Sequence, residues 1–318
     1  MAVRWLRVAA YDSHPAVPRG LPLILDCEWV RSLPRPYHSV RSSASQGTPF
    51  FAYVAPLAPH DPSTPAPRDA HLYDGIQGPR LPSFNEADVS DKPSWIRQLS
   101  KLSSSQISAI NKRHEKRVES LQAVDDLVEG VVNTLNNANA LDNTYIFFTS
   151  DNGFHHGEHR IPKQKWRPYE EDIHMPLLVR GPGVAAGSTT YKLTLNTDYL
   201  PTFLDLAGAQ IPSYVDGRPL RPVLDGSVTT WRSAILPEAA ANYSPAYEGI
   251  RTIGAPARKY VEYAEYAGGT KELYDLATDP YELTKVYNST GPPSDLVSRV
   301  QALRGCAGSG CYTVENGP

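Results

Sequence analysis

Apolar residues recur at helical spacing along one long stretch, "SSSQISAINKRHEKRVESLQAVDDLVEGVVNTLNN". Residues three and four positions apart share one side of a helix, so this pattern predicts a helix over about 105–135. Ser104 or Ser105 can cap the start of this helix. The apolar stripe that we expect to pack on a sheet includes Ile107, Leu121, Val128 and Leu135.

Short apolar runs that end in polar or glycine-proline stops surround this helix. "FFAYVA", "TYIFFT" and the centre of "HMPLLVRGPG" read as buried strands. "NTDYLPTFLDLAGA" predicts a second helix, with Pro201 near its start and Gly208 near its end. A helix, a short loop and a wholly apolar strand in succession indicate an α/β fold, with a parallel sheet covered by helices on both faces.

The pattern changes after Gly226. "ARKYVEYAEYA" alternates like an antiparallel strand, and "SDLVSRVQALRG" predicts a final helix. At the other end, only "GLPLILDCEWV" reads as a possible strand among residues rich in Pro, Arg and Ser. The expected parts are an atypical segment 1–48, an incomplete α/β core 49–226 and a smaller α+β domain 227–318.

Composition narrows the possible partners. The 318 residues carry a net charge of −3, and lysine and arginine form no basic block, so a nucleic acid is not expected as a partner. The sequence also contains no continuous apolar stretch long enough to cross a bilayer. The sequence gives no indication of the oligomeric state.

Several features favour an exported protein. Cys306 and Cys311 lie in the short glycine-bearing run "GCAGSGC", for which a disulfide is the favoured reading and two free thiols the alternative. Glycosylation motifs start at Asn242 and Asn288, although each is weak evidence by itself. The first residues make a poor signal peptide, because their apolar core is short and interrupted by Arg7.

Polar side chains follow two of the predicted strands. Asp151 and Asn152 come after "TYIFFTS", and His60 comes after "FFAYVAPLAP". Ligands bind beyond the carboxyl ends of strands in α/β sheets, and oxygen ligands suit Ca²⁺ or Mg²⁺ better than Zn²⁺. Lys165 lies close by in sequence and offers a compact positive charge for an oxyanion. The simpler alternatives are a turn at Asp-Asn-Gly and a solvated surface lysine.

The order of these motifs resembles that of the sulfatase family. "PFFAYVAPLAPHDP", "VDDLVE", "NTYIFFTSDNGFHHGEH", "KWRPYEEDIHMPLLVRGPG", "LPTFLDLAG", "DGRPL" and "ELYDLATDP" follow one another from about residue 49 to the end. The likeness is greatest to arylsulfatases and N-acetylglucosamine-6-sulfatases. It implies an alkaline-phosphatase-like α/β core, hydrolysis of a sulfate ester on a small molecule or glycan, a bound divalent cation, usually Ca²⁺, and secretion of the intact protein.

The resemblance also assigns roles to individual residues. It makes Asp151 and Asn152 metal ligands, and His60 the histidine that contacts the sulfate ester and assists protonation of the leaving group. Lys165 matches the sulfate-contacting lysine. His155 matches a histidine beside the substrate pocket, with His156 as the rival for that role.

One family signature is missing from this sequence. Sulfatases carry a C-x-P-S-R motif whose Cys becomes the formylglycine nucleophile, whereas Cys27 lies in "DCEWV". The early Asp-Asp pair of the metal site has no match in residues 1–48 either. We therefore expect a truncated form that is inactive as written. The alternatives are a pseudoenzyme that binds sulfated glycans without hydrolysing them, and a phosphodiesterase-type relative of the same fold.

Overall fold

Helices predominate in the described chain as far as residue 224, and strands predominate from 234 to 275. The computed structural model describes residues 23–26, 35–240, 245–254, 257–263, 269–287 and 293–317. The helices are α1 Arg35–Ser45, α2 Ser94–Arg97, α3 Ser104–Asn137, α4 Glu170–Ile173, α5 Tyr199–Leu206, α6 Arg221–Leu224, α7 Ser294–Gly305 and α8 Gly310–Asn316. The strands are β1 Leu23–Asp26, β2 Phe51–Val54, β3 Ile146–Thr149, β4 Leu177–Arg180, β5 Ala234–Ile235, β6 Glu238–Ala239, β7 Tyr247–Thr252, β8 Arg258–Tyr263 and β9 Lys271–Asp275.

The predicted long helix is α3. Ser103, one residue before the predicted cap, accepts a hydrogen bond from the backbone of Gln106, whose side chain reaches back to the amide of Ser103. This reciprocal capping box satisfies amides that the helix itself leaves without partners. The residues that α3 buries are Ile110, Glu115, Glu119, Ser120, Ala123, Val124, Leu127 and Leu135. Of the predicted stripe, Leu135 is buried, whereas Ile107, Leu121 and Val128 are only half-buried.

Strand direction differs from the prediction at one point. β1 and β2 run parallel, as an α/β fold requires, but β3 and β4 run antiparallel and pair Phe147 with Val179. Parallel neighbours need a crossover to the other end of the sheet, usually through a helix. The chain between β3 and β4 contains only the four-residue α4, so β4 returns in the opposite direction.

The C-terminal strands form an antiparallel sheet in the order β5-β7-β8-β9, with β6 also paired to β7. Helix α7 covers this sheet. The buried apolar side chains that join α7 to the sheet are Ala234, Ile250, Tyr260, Leu273, Leu296, Val300 and Leu303. This mixed arrangement agrees with the smaller α+β part expected from the sequence, although the division near residue 226 stays a prediction.

A buried polar network joins this sheet to the first part of the chain. The ammonium group of Lys259, fully buried on β8, forms ion pairs of 2.8 Å with Glu170 and with Glu282. Burial raises the pKa of Glu282 to about 7. Burial opposes the charge of Glu170 too, but Lys259 and Arg251 outweigh it and hold the pKa of Glu170 at about 2. The segment that begins α4 is therefore held against the C-terminal sheet.

Cys306 and Cys311 are joined by a disulfide in the structure, with their Cα atoms 5.0 Å apart. The bond links the end of α7 to α8. The two glycosylation candidates, Asn242 and Asn288, lie outside the described residues, as does Cys27. Within the described ranges, no helix has both the length and the apolar character that crossing a membrane requires.

Candidate functional site

The chain leaves β3 through the predicted metal-binding pair. Asp151 is exposed and Asn152 is half-buried, directly beyond the strand end at Thr149. The hydroxyl of Ser150 donates to the carbonyl of Asn152 at 2.9 Å, and the side-chain amide of Asn196 donates to the carbonyl of Asp151 at 3.1 Å. These hydrogen bonds hold the backbone of the pair from both sides.

Gly153 allows a second stretch of backbone to approach this turn. Its amide donates to the carbonyl of Asp172 at 2.9 Å, and the next amide, of Phe154, donates to the carbonyl of Glu171 at 2.8 Å. A Cβ at position 153 would lie 1.9 Å from the carbonyl oxygen of Glu171, inside any permissible contact. The glycine is therefore required by this close approach between two segments, which goes beyond what an isolated turn needs.

Lys165 meets the turn from the neighbouring loop. Its ammonium nitrogen lies 3.5 Å from Oδ1 of Asn152, so the predicted sulfate-contacting cation and one predicted metal ligand adjoin each other. The backbone of the lysine loop is fixed by Asp172, whose Oδ2 accepts a hydrogen bond of 2.8 Å from the amide of Arg167. One carboxylate thus supports the loop that carries the lysine.

His60 is exposed at the end of the loop that follows β2. Its Nδ1 lies 2.9 Å from the carbonyl oxygen of Asp61. The carboxylate of Asp61 forms an ion pair with Lys163, whose hydrogen bond lowers the pKa of Asp61. Because Lys163 lies two residues before Lys165, one short segment contacts both the neighbour of His60 and the turn at Asn152.

The three neighbouring histidines lie in different environments. His155 is fully buried, and its Nδ1 lies 2.8 Å from Oδ1 of Asp172. Burial disfavours a charged ring, but the Asp172 carboxylate outweighs burial and raises the pKa of His155. Burial lowers the pKa of His156 to about 3 and that of His159 well below its usual range.

This burial bears on the substrate contact predicted for His155. No hydrogen-bond partner for its Nε2 occurs among the described residues, and the ring does not reach solvent. A substrate would touch the ring only if the loop opened. The rival, His156, is half-buried and packs beside Phe154, with ring centroids 5.0 Å apart. The substrate role of either histidine stays a prediction.

The donors at the turn have the chemistry of a hard divalent cation site. Asp151 offers a carboxylate and Asn152 an amide oxygen, which are ligands that Ca²⁺ accepts. In the described part of the chain, a group of three converging carboxylates occurs elsewhere, at Asp74, Glu115 and Glu119. Protein donors already occupy that group, since Glu119 accepts the amide of His71 at 2.8 Å and Glu115 accepts that of Gly75 at 3.1 Å.

Two elements of this site escaped sequence reasoning. Asp172 lies among other acidic residues at the start of α4, where the sequence gives no sign that its carboxylate holds His155 and the lysine loop. Asp61 lies beside His60, but only the folded chain reveals its partner, Lys163. A signal for Gly153 was present, because glycine after Asp-Asn already indicated a constrained backbone.

Comparison with known proteins identifies the class to which this fold and turn belong. The Sulfatase family model matches residues 38–209, and the model for the C-terminal part of N-sulphoglucosamine sulphohydrolase matches residues 157–302. The chain belongs to the sulfatase family, as its motifs predicted. Members of this family generally use a divalent metal.

Individual relatives indicate which sulfatases the chain resembles. The N-acetylglucosamine-6-sulfatase of Bos taurus is 34% identical over 304 residues, which cover 85% of this chain and 54% of the relative. The arylsulfatase of Volvox carteri is 31% identical over 325 residues, covering 86% of this chain and 50% of the relative. The chain therefore spans about half the length of the curated relatives that it matches.

A solved structure gives the fold independently. A protein bound to its substrate, D-glucosamine-2-N,6-O-disulfate, matches with a TM-score of 0.65 and 24% identity, over 84% of this chain and 69% of that one. The predicted α/β architecture of the alkaline-phosphatase-like type is confirmed.

Proposed function

We propose that this chain supplies the sulfate-binding and leaving-group side of a sulfuric ester hydrolase site of the arylsulfatase or N-acetylglucosamine-6-sulfatase type. The observation that carries the proposal is the contact between the ammonium group of Lys165 and Oδ1 of Asn152, 3.5 Å apart at the end of β3. A lysine beside two oxygen ligands suits an anion that is bound together with a cation.

Each residue has a defined part in this proposal. Asp151 and Asn152 give two of the 6–8 oxygen ligands that Ca²⁺ takes. The cation, when bound, offsets negative charge on the ester oxygens. Lys165 directs its positive charge to the same sulfate group. His60, which is open to solvent, donates a proton to the leaving oxygen.

His155 acts as a positioning residue in this proposal. Through Asp172 its buried ring is tied to the amide of Arg167, two residues from Lys165. The backbone carbonyl of Asp172, as distinct from its carboxylate, accepts the amide of Gly153 next to the metal-binding pair. The His155–Asp172 pair therefore holds the oxygen ligands and the lysine at a fixed separation without touching the substrate.

The proposed substrates are an aryl sulfate or a sulfated amino sugar, met outside the cell. The identities with N-acetylglucosamine-6-sulfatase and arylsulfatase support both substrate classes. The Cys306–Cys311 disulfide supports an oxidising, extracellular location.

Binding measurements test the proposal. Calorimetric titration with p-nitrophenyl sulfate in Ca²⁺ should show binding that Lys165→Ala weakens about tenfold or more, because a charge-assisted contact is lost. Lys192→Ala, at an exposed lysine on another loop, is the matched control and should bind as the unchanged chain does. Equal affinity of the two variants would contradict the proposal, and tighter binding of phenylphosphonate would favour the phosphodiesterase alternative.

A further inference from the structure

A cavity of about 300 Å³ lies beside the loop that carries His60. Its walls are Asp61, Pro62, Ser63, Ala109, Lys112, Arg113 and Lys116. Asp61 directly follows the proposed leaving-group acid, so the cavity adjoins the proposed site along the chain. Its volume is at the lower end of the range for ligand pockets, which suits a single small group better than a whole oligosaccharide.

Helix α3 provides one wall of this cavity. Its four lining residues, Ala109, Lys112, Arg113 and Lys116, are spaced three, four and seven positions apart and therefore share one face of the helix. Ala109 has the smallest of these side chains and leaves room between the cationic ones. The sequence of α3 thus builds a recess with positive charge around it.

The charges in the cavity favour an anion. Three cations and one carboxylate line it, although the chain as a whole carries a net charge of −3. The carboxylate, Asp61, is already paired with Lys163. Lys112 is paired with Glu115, and the guanidinium of Arg113 donates to the carbonyl of Pro162 at 2.9 Å. Lys116 is exposed, and its ammonium group has no hydrogen bond or ion pair within the described part of the chain.

The lining also argues against a nucleic acid strand. None of the seven lining residues is aromatic, whereas proteins that bind single-stranded nucleic acids combine a basic groove with aromatic rings on which the bases stack. Lysine ammonium groups and an arginine fork instead match the oxygens of a sulfate or carboxylate.

We propose that this cavity is a subsite for a second anionic group of a polyanionic sugar, whose reacting sulfate ester lies at Lys165. The inference rests on the proposed function and extends it, because it makes the preferred substrate a sugar with at least two negative groups. A sulfate and a carboxylate share the required chemistry. Lys116, whose charge is unpaired in the described part of the chain, is the residue expected to distinguish doubly charged from singly charged ligands.

Three disaccharides test the subsite in calorimetric titrations with Ca²⁺. All carry a 6-O-sulfate on glucosamine; one is N-acetylated and has no other charge, one carries an N-sulfate, and one is N-acetylated and adds a uronic carboxylate. The two doubly charged ligands should bind more tightly than the singly charged one. Lys116→Glu should weaken the doubly charged ligands about five- to tenfold, because an exposed attraction becomes a repulsion, and should leave the singly charged ligand within about twofold.

The matched control is Lys101→Glu, which makes the same charge change at an exposed lysine outside the cavity. Equal effects of the two variants would overturn the subsite, since they would indicate only a general influence of net charge. An oligonucleotide whose binding also depends on Lys116 would overturn it in favour of a nonspecific polyanion surface.

A separate variant distinguishes failure of the subsite from failure of the proposed function. If Lys165→Ala weakens all three disaccharides while Lys116→Glu changes none, the proposed function stands and the subsite is overturned. If Lys165→Ala leaves the singly charged ligand unchanged, the proposed function fails. Selective loss of either doubly charged ligand in Lys116→Glu supports the subsite and identifies whether its group is sulfate or carboxylate.

Discussion

At the scale of single residues, Gly153 is the position where the site tolerates least change. Its amide bonds the carbonyl of Asp172, and no room exists for a Cβ beside the carbonyl oxygen of Glu171. The close contact between the turn at Asp151 and the backbone before β4 is therefore possible only because residue 153 has no side chain. A substitution here acts on the oxygen ligands without altering any of them.

Gly153→Ala is therefore expected to lower the free energy of unfolding by about 1–3 kcal/mol, the usual cost of forcing atoms into a packed region. It should also weaken binding of p-nitrophenyl sulfate, because the turn must shift. Urea denaturation measures the first effect and calorimetry the second. Gly310→Ala is the control, since nothing lies within 4 Å of the added Cβ. Two equally stable variants would show that the backbone relaxes freely.

The sequence predicted several of the residues at this turn but could not predict their supports. Asp151 and Asn152 were recognisable because polar residues after an apolar strand mark the ligand end of an α/β sheet, and Lys165 was recognisable from its closeness in sequence and the family resemblance. Asp172 was not recognisable, because its function depends on a contact with His155, seventeen positions away. Burial of His155 was likewise unpredictable, since a histidine on an irregular loop has no periodicity to indicate which way it points.

At the scale of elements, the packing of α4 against the C-terminal sheet depends on Lys259. This lysine is fully buried between the carboxylates of Glu170 and Glu282. Lys259→Met should destabilise the protein by about 3–5 kcal/mol, because a buried carboxylate is left without its partner. Thermal or urea denaturation will measure the loss, with Lys192→Met as the control at an exposed lysine.

The dependence of the stability loss on pH provides a second test of Lys259→Met. Burial already raises the pKa of Glu282 to about 7, and loss of Lys259 raises it further. A carboxyl whose folded pKa lies above the unfolded value holds its proton more tightly when folded, so stability falls as pH rises. The loss of unfolding free energy in Lys259→Met, relative to the unchanged chain, should therefore be larger at pH 8 than at pH 6. A loss that is the same at both pH values would show that the charge of Glu282 does not contribute to it.

The sequence predicted the positions of helices and strands better than the directions of the strands. The long helix follows from the helical spacing of its apolar residues, and the strands around Phe51, Phe147 and Leu177 follow from short apolar runs. The antiparallel course of β4 was missed, because a short apolar run does not indicate strand direction. Helix α1 was missed as well, because most of its eleven residues are polar, chiefly serine and arginine. This helix contacts α3.

At the scale of the whole molecule, we expect the chain to bind a sulfate ester without hydrolysing it at an appreciable rate. The 318-residue chain contains no C-x-P-S-R motif, so it has no formylglycine to attack sulfur. We expect this polypeptide to bind p-nitrophenyl sulfate yet hydrolyse it several orders of magnitude more slowly than a sulfatase that carries the motif, as enzymes do without their nucleophile. A colorimetric assay with Ca²⁺ measures this, beside His60→Ala. Turnover that His60→Ala abolishes would show that another group replaces the nucleophile.

The length of α3 has a consequence for insertions and deletions. Its 34 residues extend roughly 51 Å, with the basic cavity toward one end and the connection to β3 at the other. Each residue in a helix adds about 1.5 Å and about 100° of rotation. One residue inserted between Arg113 and Lys116 would rotate Lys116 by about 100° away from the cavity wall, whereas seven would return it to the same face about 10.5 Å further along. In the proposed subsite, an insertion there either rotates Lys116 off the cavity wall or carries it along the helix axis, and both changes separate its charge from those of Lys112 and Arg113.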